Sequence, residues 1–173
     1  MLTVGLTGDV GAGKSTLARV WKEMGAAVID ADSVARDMWK LPDVRRKAAE
    51  RWGRDFFDGD QATVFSRIAA KIFSDEHEYG FVSGLLHPAT IAAIEETVRN
   101  SEGWVVVEIP LLFEFGRPEW MDYVVYASAS VEKRTERNVS RGWDENEIKR
   151  REARLMPRDE KISMSDWVLE NSG

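Results

Sequence analysis

Apolar residues fall into short runs that alternate with longer stretches of helical spacing. Residues 2–6 form an apolar, β-rich run that stops at a glycine-rich turn, which predicts a buried strand. Leu17, Ala18, Val20, Trp21 and Met24 then recur at helical spacing over 15–24, with Gly25 as the stop. A second strand is expected at 26–29, ending in Asp30-Ala31-Asp32, with a helix over 33–40. Pro42 restarts the chain into a helix over 44–52 that Gly53 ends, and Asp58-Gly59-Asp60 is a turn. Residues 61–100 are mostly helical, with Pro88 in the first turn of a new helix. Val105-Val106-Val107, within 104–109, is the continuous apolar run of a strand covered on both faces. Residues 123–127 repeat that pattern, and 167–169 form a last short strand. Between them, 131–155 read as two charged helices joined near Gly142.

Strands that alternate with helices predict an α/β fold with a parallel sheet. The central helical stretch is too long for one crossover. Residues 41–100 are therefore expected to form a helical subdomain inserted between strands, and 131–161 a smaller excursion. The core is left with 1–40, 101–130 and 162–173.

Composition narrows the picture. A chain of 173 residues suits one domain with small insertions. It has no cysteine, which excludes disulfides, cysteine-based zinc sites and thiol catalysis. With two histidines, a His-rich metal site is excluded as well. No apolar run approaches the roughly 18 residues of a membrane helix, and no basic leader opens the sequence. A cytoplasmic protein without membrane partners is expected. The net charge of −6 is uneven: residues 133–161 carry ten basic and seven acidic side chains, the remainder 14 and 23. The acidic body argues against nucleic acid, and the basic segment suits a small anionic ligand.

Gly8-Asp9-Val10-Gly11-Ala12-Gly13-Lys14-Ser15 matches G-x-x-x-x-G-K-[ST], between an expected strand and an expected helix. Such a loop turns backbone N–H groups toward phosphates, and the helix N-terminus adds its dipole. Gly8, Gly11, Ala12, Gly13, Lys14, Ser15 and Thr16 are the candidate nucleotide ligands. Lys14 can reach the β- and γ-phosphates, and the Ser15 hydroxyl can ligate Mg²⁺. The guanine-reading Asn/Thr-Lys-x-Asp pattern of GTPases is missing, so a small kinase acting on a metabolite fits better.

Such a kinase needs an acceptor-activating carboxylate, a metal-side acid and a cationic lid. Asp32, past the second strand, is the candidate base; capping of a helix by Asp32 or Ser33 is its structural alternative. Arg36 shares a helical face with Asp32. Glu108, ending the triple-valine strand, is a candidate metal-side acid, and Leu111 and Phe113 in the next loop can pack on apolar parts of an acceptor. Arg134, Arg137 and Arg141 line one face of the charged segment, with Glu132 and Glu136 to neutralise part of it. Arg141 is the candidate for transition-state charge, whereas Arg134 can stand on a solvated face and Arg137 in structural pairing. His87 reads as a turn or cap at a helix start. A nucleoside kinase or a nucleotide-sensing protein remains compatible with these residues.

Together the motifs resemble the dephospho-CoA kinase family. The carriers are Gly5-Leu6-Thr7-Gly8 with the phosphate loop, Val28-Ile29-Asp30-Ala31-Asp32 with Ala35-Arg36, Trp52-Gly53, Asp58-Gly59, Ile72-Phe73, His87-Pro88, Ile109-Pro110-Leu111-Leu112-Phe113-Glu114 and Glu170-Asn171-Ser172-Gly173. They run in the family's order along nearly the whole chain. The resemblance implies a three-layer α/β/α nucleotide core of the P-loop NTPase type, a helical CoA subdomain and a lid. It implies transfer of phosphate from ATP, with Mg²⁺, to the ribose 3′-hydroxyl of dephospho-CoA. It puts Asp32 in the base position, Arg36 and His87 on the substrate side, Arg141 in the lid and Asn171 near adenine. Three positions depart from the family's habit: Phe65 where an Arg is common, Arg154 for the usual Gln, and Asp9 for the usual Gly. Asp9 brings negative charge to the loop, harmless if its side chain is exposed. The family usually continues into a last helix, so a shortened chain or a core with one face less covered is expected.

Overall fold

The computed structural model describes residues 1–139, 142, 144–153 and 155–172, without the side chains of 73, 74, 147, 150 and 151. Arg141 and Arg154 lie outside the described residues. In chain order the elements are β1 (Leu2–Gly8), α1 (Lys14–Glu23), β2 (Ala27–Asp30), α2 (Ala31–Met38), α3 (Pro42–Trp52), a 3₁₀ turn (Arg54–Phe57), α4 (Gln61–Ser74) and α5 (Glu76–Arg99). Then come β3 (Trp104–Glu108), α6 (Leu112–Phe115), β4 (Tyr123–Ser128), α7 (Val131–Asn138), α8 (Glu145–Glu152), α9 (Arg158–Ser163) and β5 (Trp167–Glu170).

Among the described residues five strands form one parallel sheet in the order β2-β3-β1-β4-β5. This is the α/β fold expected from the alternation of strands and helices. Val105, Val106 and Val107 are all fully buried, as an interior strand covered on both faces requires. The chain forms two compact units, Met1–Asp30 with Thr97–Gly173, and Ala31–Glu96.

The sheet unit packs Val4, Leu6, Val106, Val125 and Ala127 against Ala18, with Leu17 and Trp21 of α1 at the margin. Burying that apolar stripe is what sets α1 on the sheet. The helical unit has its own core of Trp39, Val44, Ala48, Val64, Ile68 and Val82. Trp52 lies within 4.7 Å of Phe56 and 5.7 Å of Phe81, ring centre to ring centre, and its indole N–H donates to Glu78 at 2.7 Å. Phe65 packs on this core as an ordinary apolar residue.

Two local expectations are corrected. Pro88 does not open a helix; it lies inside the continuous α5. An interior proline costs roughly 3 kcal/mol, but Val82 on one side and Thr90, Ile94 and Val98 on the other are all buried, which holds both halves. The Thr90 hydroxyl also donates to the Leu86 carbonyl at 2.8 Å within the affected turn. His87 is therefore a mid-helix residue. The stretch after Pro110 is not only loop either, since Leu112–Phe115 closes one helical turn.

Candidate nucleotide site

β1 is the central strand, with β3 on one side and β4 on the other, so the chain leaves it where the connections diverge. Ligands of open α/β sheets bind at such a switch point. A side chain on Gly8 would put Cβ 2.0 Å from the Ala127 carbonyl oxygen, so only glycine lets the loop leave β1 this close to β4. Asp9 N donates to Ala127 O at 3.0 Å, and Ala12 N to Asp9 O at 3.2 Å, which turns the loop back on itself. Gly13 caps α1 in the left-handed region at φ 82°. The first turn of α1 presents the positive end of its dipole, and within it Thr16 N donates to Gly13 O at 3.0 Å.

Lys14 Nζ donates to the carbonyls of Gly8 (3.2 Å) and Asp9 (3.0 Å). Ser15 and Thr16 are exposed at the helix start. Ser15 Oγ donates to Glu108 Oε1 at 3.0 Å, which joins the loop to the end of β3. Glu108 stands in register with Leu6 of β1 and with Asp30 of β2. The structure thus brings together Gly8, Gly11, Ala12, Gly13, Lys14, Ser15, Thr16 and Glu108.

Asn171 joins this group by a route that the sequence hides. Its Nδ2 donates to Ala12 O at 2.8 Å, and its backbone N to Ser128 O at 2.7 Å. Arg137 braces the same place, donating to Ala12 O at 3.3 Å and to Asn171 O at 2.7 Å. Arg137 is a structural brace on the loop. Arg134 is not on a solvated face: it is buried and paired with Glu152 of α8. Glu136, expected to balance the arginines, pairs with Lys133 at 3.2 Å.

Asp9 is also corrected, since its side chain is buried rather than exposed. Its carboxylate accepts from Tyr126 Oη at 2.6 Å and from Arg158 Nε at 3.1 and 3.3 Å. Burial, and then the hydrogen bond to Asp9, push the Tyr126 phenol far above its ordinary pKa. Burial pulls the Arg158 pKa down, but the charge and hydrogen bond of Asp9 more than offset it, so the guanidinium stays charged. Sequence reasoning missed Tyr126 and Arg158. Both stand more than a hundred residues from Asp9, and no local pattern marks either.

The remaining candidates belong to other elements. Leu111 is half-buried, whereas Phe113 is buried at 5% exposure and serves as core. Glu114 accepts from Lys161 Nζ at 2.5 Å and from Met156 N at 3.1 Å. In the helical unit Asp32 sits within the first turn of α2, which begins at Ala31, so neither Asp32 nor Ser33 caps that helix. Asp32 and Arg36 are exposed. Burial pulls the His87 pKa below its ordinary value, which favours the neutral imidazole. Among the described residues no helix is long and apolar enough to cross a membrane.

A family model described as dephospho-CoA kinase matches residues 2–173. A protein of that name from Corynebacterium diphtheriae is 35% identical over 100% of this chain and 90% of its own length. One from Deinococcus radiodurans is 38% identical over 98% and 84%. Among solved structures, TT1252 from Thermus thermophilus superposes with a TM-score of 0.77 at 31% identity, covering 99% of this chain and 89% of that one. A dephospho-CoA kinase from Campylobacter jejuni has a TM-score of 0.70 at 19% identity over 99% and 88%, a likeness of fold.

Proposed function

The chain belongs to the dephospho-CoA kinase family, and we propose that its phosphate loop binds the ATP that serves as phosphoryl donor. The enzyme is an ATP-dependent phosphotransferase that converts dephospho-CoA to CoA and ADP, acting on the ribose 3′-hydroxyl. The single observation behind the donor site is the loop itself. Gly8–Ser15 runs from the central strand into the N-terminus of α1, with Lys14 inside it and Ser15 on Glu108.

In this reading Asp32 accepts the proton of the 3′-hydroxyl. The freed oxygen attacks the γ-phosphorus in line, and the bond from that phosphorus to the departing ADP oxygen breaks. Lys14 and Arg141 stabilise the charge that spreads over the transferring group, and the loop N–H groups hold the other phosphate oxygens. Asn171 lies near the adenine end. Arg36, His87 and Leu111 take the acceptor, with Phe113 supporting the loop that carries Leu111. Residues 41–100 serve as the substrate subdomain and 131–161 as the lid, and the enzyme works in the cytoplasm.

Ser15 and Glu108 place a hydroxyl and a carboxylate 3.0 Å apart, a hard-oxygen pair that fits Mg²⁺. Two protein oxygens leave room for the waters and phosphate oxygens that this ion prefers. When bound, Mg²⁺ supplies neutralising charge at the β- and γ-phosphates.

The test is a radiometric assay with labelled ATP, dephospho-CoA and a panel of nucleosides and sugars. Label is expected in CoA. Label in another acceptor, with no CoA formed, would reassign the substrate.

A further inference from the structure

Asp9 belongs to the phosphate loop, yet its side chain is 1% exposed. The carboxylate is held by Tyr126 Oη, by Arg158 Nε and by the Ala129 N–H at 3.4 Å. Arg158 Nη2 donates onward to Ser128 Oγ at 2.6 Å. Tyr126 and Ser128 belong to β4, and Arg158 is the first residue of α9. The backbone of Asp9 is as engaged as its side chain. Its carbonyl accepts both from Ala12 N, which closes the turn, and from Lys14 Nζ at 3.0 Å. No residue other than glycine has a positive φ among the described residues, so the backbone at position 9 does not itself need glycine.

We propose that the Asp9 carboxylate is a positioning group for the phosphate loop. Clamped by Arg158 and Tyr126, it fixes the carbonyl that shapes the turn and orients Lys14, so nucleotide affinity depends on where α9 lies. The clamp holds this position of the loop through an ionic tie to α9 and a hydrogen bond to β4.

Charge and positioning predict opposite signs for one substitution. A carboxylate near a triphosphate repels it, so on charge alone Asp9→Asn tightens ATP binding. Positioning predicts weakening. Asparagine keeps the shape, but its amide N–H₂ faces donors, and at least one of Tyr126, Arg158 and Ala129 loses its acceptor.

The experiment measures ATP Kd by calorimetry, kcat and both KM values, and Tm, for wild type, Asp9→Asn, Arg158→Gln, Arg158→Lys and the Asp9→Asn/Arg158→Gln pair. Asp9→Asn and Arg158→Gln are expected to raise ATP Kd and KM about fivefold or more, a coupling typical of contacting residues. The KM for dephospho-CoA should stay within about twofold of wild type, the scatter seen for uncoupled sites. Arg158→Lys keeps the charge and should lose less than Arg158→Gln. The double variant should be no worse than the weaker single one. ATP binding that is unchanged or tighter in Asp9→Asn overturns the proposal. So does multiplication of the two single losses in the double variant, or a parallel change of both KM values that simply follows Tm. The inference rests on ATP binding at this loop. A wild-type chain that binds no ATP overturns both readings, whereas wild-type binding unaffected by Asp9→Asn overturns this one alone.

Discussion

Lys161→Met tests how α9 is anchored. The Lys161 side chain is 4% exposed, and its Nζ lies 2.5 Å from Glu114 Oε1. Glu114 Oε2 is buried with no hydrogen-bond partner among the described residues. Methionine keeps most of the apolar stem and deletes the charge. Glu114 is then left with the Met156 N–H as its donor. Breaking a buried pair from one side costs about 3–5 kcal/mol. Glu114 is 19% exposed at its side chain, which puts the expected loss at the lower end, about 3 kcal/mol. For a chain of this length each kcal/mol moves the melting midpoint by about 2–4 °C. Circular dichroism melts are therefore expected to show a fall of about 6–12 °C. Adding Glu114→Leu removes the stranded charge, and an apolar pair in place of an ion pair is often neutral or better. The double variant should regain about half of the loss or more. A single variant within about 2 °C of wild type, or a double variant that melts as low as the single one, refutes the reasoning.

Asp32→Asn is expected to lower kcat by about 10²–10⁴ while ATP Kd stays near wild type, the range for loss of a general base; near-normal turnover removes Asp32 from the mechanism. Gly13→Ala forces a left-handed alanine, a cost of about 1–2 kcal/mol, and sets its Cβ 2.6 Å from Asn171 Nδ2. Calorimetry should show weakened ATP binding, and unchanged affinity would mean that the bracing of the loop does not matter. Glu108→Gln should raise the Mg²⁺ concentration needed for half-maximal rate, and an unshifted Mg²⁺ titration removes Glu108 from the metal side. Hydrogen bonds from Arg51 and Trp52, with the charge of Arg51, hold the Glu78 carboxyl below its ordinary pKa despite opposing desolvation. Its stabilisation is then present above the unfolded value, about 4.3, and is lost as pH falls through the lower folded value. The Tm gap between wild type and Glu78→Gln should close over that range, and a gap that persists to the lowest pH at which both fold contradicts the assignment.

The phosphate loop is legible in the sequence because its chemistry is contiguous. Eight adjacent residues carry the glycines, the lysine and the hydroxyl, and the strand before them is a plain apolar run. Val105-Val106-Val107 is legible for the same reason. What surrounds the loop is not, because its partners arrive from distant elements. Nothing near Asn171 marks it as a donor to Ala12, and nothing near Arg158 marks it as the counter-ion of Asp9. Arg134 shows the converse error. Helical spacing placed it correctly on α7, but its fate was decided by Glu152 on another helix. Pro88 misled because a local rule for helix starts was overridden by burial on both sides of it.

The reach of the Asn171 hydrogen bond to Ala12, across 159 positions, sets a timetable for the molecule. During synthesis the loop emerges almost at once, but β1 cannot pair with β3 until the whole helical insertion has been made, and Ala12 has no Asn171 to receive until later still. Long-range parallel pairing is slow for the same topological reason. In a refolding experiment helix content should therefore return well before the chain can quench a fluorescent nucleotide, so that the first site named in the sequence is among the last to be finished.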